Sequence, residues 1–366
     1  LTPIIPQFQE LQSEGESGRN KLNRYTYFLT VPLAFLQAVG QIRLVGASLT
    51  GGVESIMPNF GFSGANLLPT LTTLVAMVGG TMFAIWLGER ITEEGVGQGI
   101  SLIIFGGIVS GILPNLAQMF TLEPAARIFS IITFLIYLVL TVLVIVIIQE
   151  GQRRIAVQYG RRVRGRKIYQ GQSTYIPLKV NTAGMIPIIF AQSILTFFPL
   201  IAGLFVTGSG SVIDNIATAI GSFGTQQDVT TAPVAFAVYW VLYFILVVAF
   251  TFFYTDVMIR QQNLPETLQR QGGFIPGIRP GKRTENYIMS VVRRITLIGA
   301  LFLGLIAVLP GIMAVIALVL QIPGLERSVL VISGSGLIIV VGVVIDTMRQ
   351  LEAQLLMRHY EGFLKS

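Results

Sequence analysis

Catalysis needs groups that can hold a proton, a metal or a nucleophilic lone pair, and this 366-residue sequence offers few of them. It has no Cys and a single His, His359. That excludes disulfide scaffolds, Cys/His zinc sites and thiol catalysis, and it leaves any Ser-His-Asp triad inside an apolar run without its base. The stretch Gly277-Ile-Arg-Pro-Gly-Lys-Arg283 has the outline of a phosphate loop. That loop requires Gly six residues before its Lys and Ser or Thr directly after it, and here those places hold Pro276 and Arg283. Energy from a nucleotide would have to come from a partner. What remains is clustered positive charge, at Arg153, Arg154, Arg161, Arg162, Arg164, Arg166 and Lys167 in one stretch and at Arg279 in another.

The elements that must position these cations follow from composition. Hydrophobic residues make up 52% of the chain and charged ones only 12%, about half the charge of an average soluble protein; the mean hydropathy is +0.71. Crossing a bilayer takes about 20 predominantly apolar residues. Eight runs meet that need: 27–45, 67–87, 100–116, 128–148, 183–206, 233–255, 295–313 and 329–345. The third is short and carries Gly106, Gly107 and Gly111 before Pro114, which suits a helix packed closely inside a bundle. The fourth is so uniformly Ile, Leu and Val that it reads as facing lipid on most sides, Ile145 included. Apart from Arg43 at its edge, no run contains Asp, Glu, Lys, Arg or His. Intramembrane ionisable groups mark proton relays and ion-coupled transport, so a proton-driven transporter is disfavoured. The polar groups present, such as Gln37, Gln192 and Ser193, suit helix-to-helix hydrogen bonding.

Orientation follows from charge. With the segment 9–26 taken as cytoplasmic, the loops 88–99, 149–182 and 256–294 and the tail from 346 share its side, and 22 of the 25 Lys and Arg fall there. Only Arg43, Arg127 and Arg327 do not, a strong positive-inside asymmetry. The stub 1–6, which opens on Leu1 rather than Met, then reads as the cytoplasmic end of an earlier span. Loops 149–182 and 256–294 exceed the short connections usual in compact bundles. The first holds Ile168-Tyr169 and Ser173-Thr-Tyr-Ile176 around a Gly-Gln turn, which predicts a small β-hairpin. The second presents Arg279 on a turn fixed by Pro and Gly. Topology charge needs no shaped backbone, so both loops read as docking surfaces.

Several long, ordered stretches together resemble the SecY family, the channel subunits of the bacterial Sec protein translocon. They are Glu14-Gly-Glu-Ser-Gly-Arg19, Gly80-Thr-Met-Phe, Trp86-Leu-Gly-Glu-Arg-Ile-Thr92, Gly97-Gln-Gly-Ile-Ser-Leu-Ile-Ile-Phe-Gly-Gly-Ile108, Gln172-Ser-Thr-Tyr-Ile-Pro-Leu-Lys-Val-Asn181, Ala183-Gly-Met-Ile-Pro187 and Pro276-Gly-Ile-Arg-Pro-Gly281. The resemblance implies an all-α polytopic membrane protein, a ten-span inverted-repeat bundle in two halves that here lacks the first span and the plug region. Residues 1–116 would be the remainder of the N-terminal half, from the end of the second span through the fifth. Residues 117–366 would be the C-terminal half with both large cytoplasmic loops.

The resemblance also implies roles. Ile100 and Ile104 on the fifth family span, Ile189 on the seventh and Ile339 on the tenth match a hydrophobic pore ring, which would exclude water and ions by dewetting yet yield to a polypeptide. Four-residue spacing puts Ile100 and Ile104 on one helix face, though on sequence alone each isoleucine is ordinary filler. Thr2, Gln37 and Asn181 match the polar cluster of a lateral gate, through which apolar segments partition into lipid. Arg279 matches the loop arginine needed for the SecA motor ATPase, and the cations from Arg153 to Lys167 match a surface for SecA or the ribosome. SecE and SecG are the expected small membrane subunits. The implied function is translocation of unfolded secretory polypeptides across, and lateral insertion of membrane proteins into, the bacterial cytoplasmic membrane, with no catalytic residues and no cofactor. The alternative, an inverted-repeat secondary transporter of a small solute, would need a charged or substrate-liganding constellation at mid-membrane. The 22-to-3 asymmetry predicts that single cysteines at Arg166 or Arg279 are labelled only from the cytoplasmic side and one at Ser211 only from the other; reversed labelling would overturn the orientation.

Overall fold

The computed structural model describes residues 11, 15–47, 57, 60–61, 64–95, 97–121, 124–159, 162–164, 167–169, 173–205, 221, 230, 232–262, 264–320 and 334–364. Nine α-helices, one short 3-10 helix at Gly64–Asn66 and five short strands are described among them. Helix α1 is Glu16–Ala47, α2 Leu67–Glu94, α3 Gly99–Phe120 and α4 Pro124–Glu150. Strands β1 Gln152–Tyr159, β2 Arg162–Arg164, β3 Lys167–Tyr169 and β4 Ser173–Lys179 precede α5 Ile186–Phe205. Then come α6 Pro233–Gln261, α7 Leu264–Arg270, β5 Gly273–Phe274, α8 Lys282–Leu320 and α9 Gly334–Leu364.

Among the described residues, six helices are long and apolar enough to cross a membrane: α2, α3, α4, α6, α8 and α9. Ile186–Ala202, inside the expected fifth run, is apolar but shorter. The first expected run lies within α1, whose Pro32 removes one backbone donor. Residues 329–333 of the last run lie outside the described residues; α9 supplies the rest.

The chain divides into two compact units, one of Leu1–Ile104, Ser193–Tyr239 and Arg349–Ser366, the other of Phe105–Gln192 and Trp240–Met348. In the first, Ala38, Val39 and Ile42 of α1 bury against Leu74 of α2, and Gly40 leaves room for Leu200, which a Cβ would strike. In the second, α8 admits its neighbours closely at three glycines. A Cβ at Gly304 would lie 2.7 Å from the Phe244 ring, one at Gly299 would lie 2.7 Å from the Val180 carbonyl oxygen, and one at Gly311 would enter the Trp240 indole. Close helix approach of this kind substitutes dispersion contact for the hydrophobic drive that lipid does not supply.

Two expectations about spans are corrected. Ile145 is buried, 1% exposed, and shares a stripe of α4 with the buried Ser130, Phe134, Tyr137 and Thr141, while Ile136, Val139, Leu140 and Leu143 are exposed. The stripe repeats at three and four residues, and its small hydroxyl residues are the mark that a reading for uniform Ile, Leu and Val passes over. Conversely, among the described residues no atom lies within 4 Å of where a Cβ would stand at Gly106, Gly107 or Gly111 of α3. Gly106 and Gly107 are exposed and Gly111 is half-buried, and α3 runs on through Pro114 to Phe120.

The loop strands pair differently from the expected hairpin. β4 runs antiparallel to β1, with Ile155 opposite Ile176 and Val157 opposite Thr174. Ile168 and Tyr169 pair instead with Val163 and Arg162. A seven-residue register that brings Ile155, Val157, Ile176 and Leu178 to one core outweighs a two-residue stub. The second long loop then completes the sheet: β5 pairs with the far end of β1, giving the order β4-β1-β5. Beneath it Ile155, Val157 and Leu178 from one loop bury with Ile259, Leu268, Ile275, Ile288 and Val292 from the other. The two loops are thus one folded body. Leu268→Ala, a change in the second loop, should therefore cost about 2–5 kcal/mol and raise the rate of limited proteolysis in the first loop, at 149–182, alongside its own; cleavage confined to 256–294 would contradict the shared core.

Candidate pore, gate and docking residues

Ile100 owes its place to the tight connection between α2 and α3. Thr92 donates from Oγ1 to the Gly88 carbonyl at 2.8 Å and accepts from the Gly99 backbone N–H at 2.8 Å. A Cβ at Gly88 would come within 2.8 Å of Ile100 Cγ1, and one at Gly99 would enter the Gly88 carbonyl. Gly97 completes the turn with φ +95°, a region that side chains rarely adopt. The hairpin therefore brings the first turn of α3, with Ile100 on it, against α2. Ile100 is 44% exposed and Ile104, one turn on, is half-buried. Ile189 is half-buried on α5, and Ile339 is buried on α9 between the buried Ile338 and Val341. Ile100 and Ile104 belong to the first unit, Ile189 and Ile339 to the second.

Of the three expected gate residues, Thr2 lies outside the described residues and Gln37 is exposed on α1. Asn181 stands in the short connection from β4 to α5, which Gly184 turns with φ +65°. It is buried, and its Nδ2 donates to Gly184 O at 3.1 Å and to Gln149 Oε1 at 3.3 Å. Gln149, in the last turn of α4, was not legible as a partner from sequence. The available signal was an amide standing at the end of an otherwise apolar helix, where a polar group inside the fold needs a mate.

The cations of the loops divide by element. Arg153 and Arg154 are exposed on β1, next to the buried Ile155. Arg162 and Arg164 lie on β2 and Lys167 on β3, whereas Arg161 and Arg166 lie outside the described residues. Arg279 is exposed on a turn held at both ends. Ile275, buried in the loop core, accepts at its carbonyl from the Ile278 N–H at 3.0 Å, and Thr284 Oγ1 donates to the Arg279 carbonyl at 3.0 Å. Gly277 at φ +81° and Gly281 at φ +103° let the backbone reverse on either side. A second cationic place was not anticipated: β1, the Ile275-Pro276 turn and α8 enclose a half-open cleft of about 620 Å³ lined by Arg153, Arg154, Arg294 and Tyr287 over Ile295 and Ile298. Sequence reading separates these arginines by more than one span; the sheet brings them together.

A family model described as SecY matches residues 1–348. A protein translocase subunit SecY of Halalkalibacterium halodurans is 40% identical over 369 residues, spanning 99% of this chain and 79% of that protein. The subunit of the same name from Mycobacterium leprae is 41% identical over 370 residues, 100% of this chain and 80% of its own length, and that of Thermotoga maritima is 38% identical over 368 residues, 100% and 76%. A solved structure described as "The structure of a protein conducting channel" superposes with a TM-score of 0.61 at 18% identity, covering 92% of this chain and 74% of that one.

Proposed function

Because this chain belongs to the SecY family, we propose a division of labour among its residues. The chain is a protein translocase subunit that forms a protein-conducting channel in a membrane it crosses several times. It conducts unfolded secretory polypeptides across that membrane, the bacterial cytoplasmic membrane, and releases apolar segments sideways into it. Residues 1–116 and 117–366 are the parts of its two inverted halves.

One observation carries the reading. The apolar runs hold branched apolar residues at the ring positions and ionisable ones nowhere but at Arg43, while the cations gather on a loop body with its own core. Ile100, Ile104, Ile189 and Ile339 form the gasket. Thr2, Gln37 and Asn181 line the gate. Arg153, Arg154, Arg161, Arg162, Arg164, Arg166 and Lys167 meet the SecA motor or the ribosome on the cytoplasmic side, where phosphates of ribosomal RNA would be drawn to them by counterion release. Arg279, on its braced turn, engages the motor, which supplies the energy that this chain's own residues do not. SecE and SecG complete the membrane assembly. Partitioning replaces catalysis, since a segment of about 20 apolar residues is more stable in lipid than in a wet channel.

Replacing the four isoleucines with Ser separates a gasket from ordinary core. A gasket hydrates, because each hydroxyl offers water a partner, so resting ion conductance should rise in the reconstituted channel at near-normal protein amounts; lost protein with unchanged conductance would sink the ring assignment. Arg279→Glu should abolish motor-driven export while leaving the subunit inserted, because its side chain is in water rather than in the loop core. Normal export by that variant would return Arg279 to mere topology charge.

A further inference from the structure

Asn181 lies just ahead of α5, close in sequence to the buried Ala183 and Met185. It is 5% exposed, and while its Nδ2 makes the two hydrogen bonds to Gln149 and Gly184, its Oδ1 has no partner among the described residues. Gln149 is 8% exposed. It has room beside Asn181 because α9 carries no side chain at Gly342, where a Cβ would stand 3.3 Å from Gln149 Nε2 and 4.0 Å from Met185 Sδ. The end of α4, the entry to α5 and the third turn of α9 therefore converge on one pair of amides.

Such a pair supplies in an apolar setting what water would otherwise give. It is also incomplete. With Asn181 Oδ1 unsatisfied, the pair fixes an orientation yet is less costly to give up than a full network would be. We propose that Gln149 is a positioning residue: acting through Asn181 and given space by Gly342, it sets where α5 begins and so how readily an apolar segment leaves the channel. The proposal rests on the reading of Asn181 as a gate residue.

The test uses the complete channel in its membrane and a secreted reporter carrying a test segment of about 20 residues with graded Leu and Ala content, read as the ratio of inserted to translocated reporter per channel. At the midpoint, Gln149→Leu should change that ratio by about threefold, the equivalent of one interhelical hydrogen bond in a membrane, in the same direction as Asn181→Leu. Since Asn181→Leu removes both amide hydrogen bonds, the double variant should match Asn181→Leu alone. Gly342→Ala keeps both amides but crowds Gln149 Nε2; it should shift the ratio in the same direction and stands in if Gln149→Leu accumulates poorly. A shift with Asn181→Leu but none with the Gln149 and Gly342 variants, or independent effects in the double variant, overturns the positioning role and leaves the gate reading intact. No shift with Asn181→Leu overturns the gate reading and this one with it.

Discussion

The burial of Val157, Leu178, Leu268, Ile275 and Ile288 in one cluster is the interaction on which the two long loops of this protein depend. A charged loop on its own has too little apolar surface to offset the entropy of ordering it. Two such loops can do together what neither does alone. Tyr159 and Gln271, 112 residues apart and joined through Tyr159 OH and Gln271 Oε1, sit at the edge of the strand pairing that seals the union. Cations that would otherwise sample many directions, Arg153, Arg154 and Arg279 among them, are thereby given fixed mutual positions, which shaped recognition requires and topology charge does not.

Inside the membrane the same problem is solved without water's help. Lipid chains compete with helix faces on nearly equal terms, so approach distance becomes the currency of stability. Gly299, Gly304 and Gly311 on α8 admit a carbonyl, a phenyl ring and an indole at distances no Cβ would permit, and Gly88 with Gly99 does the same for the turn from α2 into α3. Gly106 and Gly107, exposed on α3, are the counterpart: the same residue type with nothing against it among the described residues.

Much of this was legible in the sequence, for stated physical reasons. Span lengths follow from bilayer thickness, and charge exclusion marks their ends, so the runs in α3 and α4 were visible within a few residues, while α2, α6 and α8 contain their expected runs but continue past them, α8 beginning well inside the expected loop. Family membership followed from ordered motifs such as Gly97–Ile108, whose Gly97 and Gly99 the α2 to α3 turn now explains. What was not legible depends on partners distant in sequence. The β1 strand carries two arginines and reads as a charge cluster until β4 and β5 flank it, and Ile145 reads as lipid-facing until the stripe of Ser130 and Thr141 is counted by helical period rather than by hydropathy. Gln149 is silent without Asn181. A single amide in a sequence has no address.

Helix α8 has 39 residues without a break at the membrane boundary. Its first turns, with Ile288 and Val292, are rooted in the loop core, and its later ones, with Ala300 and Leu303, lie among the spans. An α-helix is stiff along its axis, and the 28 residues before Pro310 make a strut of about 42 Å. A load applied near Arg279 is therefore not dissipated in a floppy tether. It is delivered as thrust along a beam into the membrane-embedded part of the same unit, and Pro310, where the hydrogen-bond ladder loses a rung, is the point at which that beam can bend.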